Sequence, residues 1–406
     1  MPPMDWTGSC AVARDMTGTI QPFQNAIPQA DLDDVRERLR RTRWPQEIGD
    51  NDAWQAGTNL AYMRELTEYW LNAYDWRVQE AAMNKFPQFR TMIDDVPVHF
   101  IHVKGKGVEG GPAPTPLIIN HGWPWTFWDM RKIIGPLSDP AAHGGNPADA
   151  FEVIAPSLPG FAFSSPLTSE GMFFNPTADL WVKLMARLGH ERFATQGGDI
   201  GAYVSARLGH KYAEKIIGVH LHLAGPAMPP YPAPEDYAPE EQAWGAKFAA
   251  FMAQGSGYMQ IQRTRPQSIG FAMHDSPVGL AAWLIEKRRA WSDCDGDVEA
   301  VFSKDDLITT AMLYWLTDTY VSSARHYYEA KPERLVPCHD RQPPVEAPTA
   351  LLQFKNDVWL QPRKWAERYY NLKRWNVIER GGHFAPMEQP EVLVGDIREF
   401  FRELRA

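Results

Sequence analysis

An aspartate occupies the position at which a sharp turn between a strand and a helix would present a nucleophile. The segment QGGDIG places Asp199 in a G-x-D-x-G pattern with Gly197 and Gly201. In its hydroxyl form, G-x-S-x-G, this pattern marks a strained turn that exposes the nucleophile, and small residues must flank it. A carboxylate in that place suits attack on a saturated carbon that carries a leaving group, as in an epoxide or an alkyl halide.

The chemistry at such a carboxylate also requires an oxyanion hole. The apolar run at residues 116–120 predicts a buried strand, and it is followed by the loop HGWP at residues 121–124. In this type of turn, one backbone donor follows the nucleophile and the other comes from such a loop. The predicted oxyanion-hole donors are therefore the N–H groups of Ile200 and Trp123. We expect His121 to position the loop and not to transfer protons.

A histidine and an acid follow the nucleophile along the chain. His383 comes after a predicted strand and the pair Gly381 and Gly382, close to the C-terminal end of the sequence. Asp357 directly follows an apolar run and precedes His383 by 26 residues, which is enough for one helix and one strand. The order nucleophile, acid, histidine is the order of an α/β-hydrolase triad. We therefore predict Asp199, Asp357 and His383 as catalytic residues.

The elements that must position these residues can be predicted from the same sequence. Apolar runs predict strands at residues 97–103, 116–120, 151–157, 192–196, 216–222, 351–354 and 375–380. Between about residues 223 and 347 helical patterns replace the strand signal, which predicts a helical lid. We predict an α/β-hydrolase fold, in which helices flank a mostly parallel central sheet. Its parts are an N-terminal extension (1–95), the first part of the core (96–222), the lid (223–347) and the second part of the core (348–406).

The N-terminal extension is predicted to be helical and to wrap the core and the lid. Apolar spacing predicts helices at 32–43, with Asp31 as the N-cap, and at 60–70. The basic run RERLRRTR lies in the first of them and is interleaved with apolar residues, as on the solvated face of an amphipathic helix. Because the net charge is −9, nucleic acid is not a predicted partner.

Taken together, these segments resemble the epoxide hydrolase family, in particular its microsomal-type branch in a soluble, bacterial-like form. The resemblance covers nearly the whole chain and is carried by FQNAIPQADLDDVRERLRRTRWP, HGWP, PSLPGFAFSSP, GGDIG, GSGYMQIQRTRPQSIGFAMHDSPVGLAAWLIEK and GGHFAPMEQP. It implies an ether-bond hydrolase that converts an epoxide and water to a vicinal diol through an ester of Asp199. It also implies two lid tyrosines that hydrogen-bond the epoxide oxygen, Tyr258 and Tyr327, while Tyr328 and Tyr314 are alternatives. With Trp123, these two tyrosines are the predicted substrate-binding residues.

The composition gives further expectations about the substrate, the cysteines and the location of the protein. The chain has 16 tryptophans, which favours an aromatic-lined pocket and aryl or cyclic epoxides as substrates. Its three cysteines, Cys10, Cys294 and Cys338, show neither pairing nor metal spacing. No signal-type segment and no run of about 18 apolar residues is present, so we expect no membrane association and a cytoplasmic location. The predicted mechanism needs neither cofactor nor metal, and the resemblance makes a homodimer possible.

Three rival functions fit the sequence less well. Haloalkane dehalogenases share the fold and the triad, but they commonly carry tryptophan after the nucleophile, and fluoroacetate-acting relatives carry arginine, where this chain has Ile200. A binding protein on the same fold would have no need of a complete triad and two phenols. An ester hydrolase would gain little from a carboxylate nucleophile, because attack on an ester would give an anhydride.

Overall fold

The centre of the protein is a mixed β-sheet of short, mostly apolar strands. The computed structural model describes residues 18–223 and 228–405, so Cys10 lies outside the described residues. The strands in these ranges are β1 (Gln21–Phe23), β2 (Gln88–Ile93), β3 (Val96–Val103), β4 (Thr115–Asn120), β5 (Phe151–Pro156), β6 (Phe193–Gly197), β7 (Ile216–His222), β8 (Val345–Phe354) and β9 (Tyr370–Ile378). Strands β4 to β7 are buried along most of their length, as parallel strands covered on both faces should be.

The strand order reverses in the middle of the sheet. The described strands follow the order β1-β2-β3-β5-β4-β6-β7-β8-β9. From β5 to β9 neighbouring strands are parallel, whereas β1, β2, β3 and β5 pair antiparallel at one edge. Since β4 lies between β5 and β6, the loops after β4 and β6 meet at the carboxyl ends of the strands, where open α/β sheets bind their ligands.

Helices flank this sheet, as the α/β-hydrolase fold requires. The described α-helices are α1 (Gln29–Arg40), α2 (Leu60–Asn72), α3 (Trp76–Met83), α4 (Arg131–Ser138), α5 (Phe174–Arg187), α6 (Ile200–Lys211), α7 (Gln242–Ala250), α8 (Gly257–Thr264), α9 (Pro266–Met273), α10 (Pro277–Trp291), α11 (Lys304–Leu316), α12 (Tyr320–Glu329), α13 (Arg363–Tyr369), α14 (Ala385–Glu388) and α15 (Pro390–Arg405). α15 illustrates why they form: it buries Leu393, Ile397 and Phe400 on one face and leaves charged residues on the other.

Short helical turns connect many of these elements. Their bounds in the described chain are Phe127–Met130, Pro140–His143, Pro147–Asp149, Ala213–Lys215, Pro234–Asp236, Pro239–Glu241, Val298–Ala300 and Pro332–Arg334, all of the 3-10 type. A π-helix, Phe251–Gly255, joins α7 to α8. Segments of this kind are frequent beside functional sites.

The segment between β7 and β8 contains α7 to α12 and, among its described residues, no strand. We call this segment the lid. α8 carries Tyr258, and α12 carries Tyr327. α10 ends at Trp291, which brings the end of a lid helix close to the loop of His383, since the Trp291 carbonyl oxygen accepts the His383 N–H at 2.9 Å.

The N-terminal region, residues 18–95, contains strands as well as helices. The sequence predicted two helices, and the structure adds α3, β1 and β2. β2 pairs with β3 over six residue pairs, so this region extends the central sheet. The sequence of β2, QFRTMI, lacks a clean alternation of polar and apolar residues, and its pairing with β3 specifies it as a strand.

The start of α1 differs from the prediction. The helix begins at Gln29 after Pro28, which makes no side-chain cap hydrogen bond, so Asp31 is not the N-cap. Asp31 lies instead in the first turn, where a negative charge interacts favourably with the helix dipole. Proline before the helix already sets an extended backbone, so a side-chain cap is not needed to start it.

The N-terminal region is bonded directly to the lid. The Thr58 hydroxyl donates to the Ala282 carbonyl oxygen of α10 at 2.8 Å. The hydroxyls of Tyr74 and Thr309 lie 3.0 Å apart. The region therefore supports lid helices from the outside. Among the described residues, no helix has both the length and the apolar character needed to cross a membrane.

Candidate active site

Asp199 is held in a strained turn between β6 and α6. Its φ of 52° and ψ of −128° are unusual for a residue with a side chain, at a cost of about 1–3 kcal/mol. A Cβ on Gly201 would lie 2.2 Å from the Asn120 carbonyl oxygen, so α6 can approach β4 this closely only with glycine there. The turn leaves the Asp199 side chain 12% exposed at the carboxyl end of the sheet.

The loop after β4 supplies a backbone donor to this carboxylate. The Trp123 N–H donates to Asp199 Oδ1 at 2.8 Å. A Cβ on Gly122 would lie 2.3 Å from the same oxygen, so the approach depends on glycine. Ile200, the second predicted donor, is the first residue of α6, and no hydrogen bond from its N–H to the carboxylate is seen within the described ranges. One of the two predicted donors therefore contacts Asp199 in this state.

His121 is locked in place beneath that loop. Its Nε2 accepts the Leu158 N–H at 3.0 Å, and its Nδ1 lies 3.0 Å from the Gly122 carbonyl oxygen. Complete burial is the main reason that its pKa falls to about 4. A neutral imidazole with both nitrogens engaged fixes the peptide before Trp123 and has no free position for proton transfer.

The predicted acid and histidine meet the nucleophile from the other side. His383 Nδ1 lies 3.0 Å from Asp357 Oδ1, and His383 Nε2 lies 3.4 Å from Asp199 Oδ2. All three side chains are buried or nearly so, with Asp357 and His383 almost inaccessible to solvent. The two oxygens of Asp199 thus have different surroundings, because Oδ1 faces the Trp123 N–H and Oδ2 faces the imidazole.

Two carboxylates control the charge of His383. Burial alone would lower the pKa of the imidazole, but the charges of Asp357 and Asp199 and their hydrogen bonds raise it to about 10. The imidazole is therefore protonated at neutral pH. Any reaction that neutralises Asp199 would remove one of the charges that keep the proton on His383.

Tyr258 of α8 and Tyr327 of α12 lie against Trp123. The Tyr258 ring stacks on the indole, with centroids 5.1 Å apart and planes 5° apart, and the Tyr327 ring meets the indole edge-on at 6.1 Å. The two phenol rings are 5.9 Å apart. Burial raises the pKa of both hydroxyls well above the ordinary value, and the charge of Asp199 acts in the same direction. Both phenols are therefore proton donors at neutral pH.

The alternative tyrosines are engaged elsewhere. The Tyr314 hydroxyl donates to the Trp125 carbonyl oxygen at 2.8 Å. The Tyr328 ring receives the cations of Arg325 and Lys331 at 5.4 Å and 4.9 Å from its centroid. Of the four tyrosines considered from the sequence, the structure therefore brings Tyr258 and Tyr327 to Trp123.

Two aromatic side chains of the site were not predicted as site residues. Trp291 packs edge-on against His383 at 5.1 Å between centroids, and it packs at a tilt of 55° against Tyr258 at 5.0 Å. Trp125 packs edge-on against His383 at 5.4 Å. Trp291 lies in the lid segment AWSDC, which has no motif, and only its contacts reveal its place. Trp125 follows the HGWP loop by one residue, so proximity to that motif was an available signal.

One group of side chains has the residue types and spacing of a metal site, at the amino end of β5, whereas Asp199 lies at the carboxyl end of β6. His102, Glu152 and His190 bring their ligand atoms within 4.8 Å of one another, and no other such group occurs in the described part of the chain. However, the Lys104 ammonium lies 2.6 Å from the same Glu152 oxygen that His102 contacts. The cluster is thus accounted for as a carboxylate that accepts several hydrogen bonds, and the site at Asp199 contains no metal-ligand set.

Comparison with known proteins finds similar sequences along nearly the whole chain. The family described as "Epoxide hydrolase N terminus" matches residues 20–130, and the "alpha/beta hydrolase fold" family matches residues 115–390. The chain is 42% identical to a putative epoxide hydrolase of Stigmatella aurantiaca, across 95% of this chain and 86% of the relative. It is 35% identical to epoxide hydrolase 1 of Sus scrofa, across 94% of this chain and 88% of that protein.

Solved structures with this architecture include two epoxide hydrolases. The juvenile hormone epoxide hydrolase of the silkworm Bombyx mori superposes with a TM-score of 0.86 at 28% identity, covering 96% of each chain. The epoxide hydrolase of Aspergillus niger superposes with a TM-score of 0.81 at 28% identity, covering 95% of this chain and 97% of its own. The likeness therefore includes the N-terminal region and the lid as well as the core.

Proposed function

Because the chain belongs to the epoxide hydrolase family and is an enzyme of that activity, we propose that it opens epoxides in two steps through an ester of Asp199. The observation that carries this proposal is that the two oxygens of the Asp199 carboxylate have different partners. Trp123 N–H lies 2.8 Å from Oδ1, and His383 Nε2 lies 3.4 Å from Oδ2. One oxygen is thus placed for an oxyanion hole, and the other lies beside the base that a second step needs.

In the first step, Asp199 Oδ2 attacks one carbon of the epoxide. The bond between that carbon and the ring oxygen breaks, and the oxygen takes a proton from Tyr258 or Tyr327. A phenol can donate to the developing alkoxide at neutral pH because burial keeps it protonated. The product of this step is a hydroxyalkyl ester of Asp199 and a tyrosinate. The tyrosinate regains its proton from the His383 imidazolium, which leaves the imidazole neutral for the second step.

In the second step, His383 removes a proton from water, and the oxygen of that water attacks the ester carbonyl carbon. The negative charge develops on Asp199 Oδ1, which already accepts the Trp123 N–H, and Ile200 supplies the second donor. The intermediate then expels the diol with the former Oδ2, and the diol oxygen takes a proton from the imidazolium. Asp357 holds the imidazole in the orientation this transfer needs.

The two steps are linked through the charge of His383. In the free enzyme the pKa of the imidazole is raised to about 10 by Asp357 and Asp199 against the effect of burial. Formation of the ester abolishes the charge on Asp199, so the imidazole releases its proton more readily when the base is needed. His383 is therefore proposed to become a base only after the nucleophile has reacted.

The substrates that the site favours are aryl and cyclic epoxides. Trp123, Tyr258, Tyr327 and Trp291 present aromatic surface beside the nucleophile. Such surface favours flat apolar groups. The comparison to make is the rate of diol formation from styrene oxide and cyclohexene oxide against that from a linear aliphatic epoxide of equal carbon number. Faster turnover of the linear compound would contradict this assignment.

The dehalogenase alternative is not favoured. The residue that follows the nucleophile is Ile200, whose side chain has no N–H to hold a leaving halide. The curated relatives described above are named epoxide hydrolases. Halide release from 1-bromobutane, measured beside diol formation from styrene oxide, should stay at the background of the Asp199→Ala variant.

The ester itself provides the test of the two-step scheme. In a His383→Gln variant the first step should proceed and the second should stall. Intact mass spectrometry after mixing with styrene oxide should show the protein plus one substrate mass. A variant that binds epoxide but never gains this mass would contradict the role proposed for His383.

The wider biological setting is proposed from the sequence. Breakdown or detoxification of aromatic hydrocarbons would supply the epoxides described above. We propose a cytoplasmic location, since the described cysteines Cys294 and Cys338 are both free thiols, as in a reducing compartment. A homodimer is proposed from family resemblance, and sedimentation velocity of the purified protein tests it.

A further inference from the structure

The carboxylate of Glu388, at the end of α14, accepts three backbone N–H groups. Its Oε2 accepts from Asp293 at 2.7 Å and from Gly382 at 2.9 Å, and its Oε1 accepts from Phe384 at 2.7 Å. The three donors come from two separate loops. A carboxylate that gathers several main-chain N–H groups in this way fixes the loops that supply them.

Two of these donors flank the proposed base. Gly382 and Phe384 are the residues on either side of His383, so Glu388 accepts the N–H of the residue before and the N–H of the residue after the histidine. The third donor, Asp293, lies two residues after Trp291, whose carbonyl oxygen accepts the His383 N–H at 2.9 Å. Glu388 therefore ties the histidine loop to the segment against which the histidine itself is bonded.

Backbone donors are the principal partners of this charge. Among the described residues, no lysine, arginine or histidine forms an ion pair with Glu388. Burial raises the pKa of the carboxyl to about 7, the backbone hydrogen bonds oppose that rise, and the nearby charge of Asp357 adds to it. A buried carboxylate without a cation is costly, so the three backbone hydrogen bonds are what stabilises its charge, and they join it to both loops.

We propose that Glu388 is a positioning residue for the second step, in which it holds His383 at the place where the imidazole activates water. This inference rests on the proposed two-step function. The reason for the second step is geometric, because Asp199 and the tyrosines suffice to form the ester, whereas hydrolysis depends on the placement of the imidazole. Misplacement of a catalytic group by about 1 Å costs on the order of 10²-fold in rate.

Glu388→Gln is the decisive substitution. Glutamine has an NH₂ group in place of one of the two carboxylate oxygens. The backbone N–H groups that donate to that oxygen therefore lose their acceptor. The expected result is ester formation within about two-fold of the unchanged protein and ester hydrolysis slowed by at least about 10-fold. Rapid-quench mass spectrometry with styrene oxide should then show ester accumulating during turnover. Glu391→Gln is the matched control, since Glu391 is exposed in the first turn of α15 and should change neither step.

Glu388→Asp separates positioning from general support of the fold. It keeps the carboxylate on a shorter arm, so it should restore part of the hydrolysis rate lost in Glu388→Gln. If Glu388→Gln does not fold, the rate of ester hydrolysis relative to that of ester formation is measured in Glu388→Asp, and a selective loss of hydrolysis there supports the positioning role. Equal slowing of both steps, or no slowing of either, would overturn the positioning role.

His383→Gln, run in parallel, keeps two failures apart. If His383→Gln accumulates the ester and both Glu388 variants do not, only the role of Glu388 is overturned. If His383→Gln shows no ester either, the covalent scheme on which the inference rests is contradicted first.

Discussion

The core and the lid contribute to the site in different ways. The core places Asp199, Trp123 and His383 on tight turns at the ends of strands, where glycines and backbone hydrogen bonds set their positions. The lid places Tyr258 and Tyr327 on two helices, where aromatic packing against Trp123 sets their positions. Main-chain geometry therefore positions the charged groups of the core, and side-chain packing positions the proton donors of the lid.

This difference indicates which region supplies the groups for each of the two proposed steps. Ester formation needs the nucleophile of the core and the phenols of the lid, so it depends on the fit between the two regions. Ester hydrolysis needs only core groups, namely the oxyanion hole and the histidine with its acid. Substitutions of the lid phenols should therefore slow the first step alone, and substitutions of the core groups can stop either.

The largest effect is expected from the core nucleophile. Asp199→Ala removes the group that forms the ester, and turnover of styrene oxide should fall by on the order of 10⁴-fold or more. Chromatography of the diol measures this, with the exposed Asp340→Ala as the control. Diol formation at more than a trace in Asp199→Ala would mean that water attacks the epoxide directly.

The buried ion pair that joins the lid to the core should contribute to the free energy of unfolding. Arg288 of the lid pairs with Asp129 of the core at 2.6 Å and donates to the Pro124 carbonyl oxygen at 3.2 Å, and both charged side chains are buried. Arg288→Met leaves Asp129 buried without its partner, so the free energy of unfolding should fall by about 3–5 kcal/mol. Urea unfolding measures it.

A second variant checks the cause of that loss. Adding Asp129→Asn to Arg288→Met removes the unpaired charge and should recover part of the lost stability. If the single variant loses less than about 1 kcal/mol, the buried pair does not join lid and core as described.

Removing a lid phenol should affect one step only. Tyr258→Phe and Tyr327→Phe each delete one donor to the developing alkoxide while leaving the ring that packs against Trp123. Each should slow ester formation by on the order of 10²-fold and leave ester hydrolysis unchanged. Single-turnover mixing separates the two rates. An equal loss in both steps would show that the lid also takes part in hydrolysis, and the contrast between the regions would fail.

The smallest effect is expected from a tyrosine that serves structure. Tyr314→Phe removes the hydroxyl that donates to the Trp125 carbonyl oxygen at 2.8 Å. The free energy of unfolding should fall by about 1 kcal/mol, and diol formation should stay within about two-fold. Turnover reduced as far as in Tyr258→Phe would mean that the choice between the phenols was wrong.

The same contrast explains what the sequence could predict. Core strands such as β4, β5 and β7 lie within a residue or so of their predicted bounds, because buried parallel strands are short apolar runs between loops. Asp199 and His383 stand in glycine-rich motifs that are written in consecutive residues. β9, by contrast, starts at Tyr370, several residues before the prediction, because its first half, YNLKR, mixes polar and apolar residues without the apolar run of a buried strand.

Residues placed by packing left a weaker signal. Tyrosine at a given helical position is usually a packing residue, so residue type alone does not single out Tyr258 and Tyr327. The family resemblance selected them. Trp291 reaches His383 and Tyr258 only through contacts between distant segments, and Glu388 is joined to Asp293 in the same way, so no local pattern indicates these contacts. The same holds for β1 and β2, because β2 is a strand through its pairing with β3, and β1 through its pairing with β2.

The central claim is that the oxygen added to the substrate comes first from Asp199. A single turnover of excess protein with styrene oxide in H₂¹⁸O tests it directly. We predict that the diol from this turnover contains no ¹⁸O and that a peptide containing Asp199 gains one ¹⁸O atom, because water attacks the ester carbonyl. A diol that carries ¹⁸O in the first turnover, with Asp199 unlabelled, would contradict the covalent mechanism.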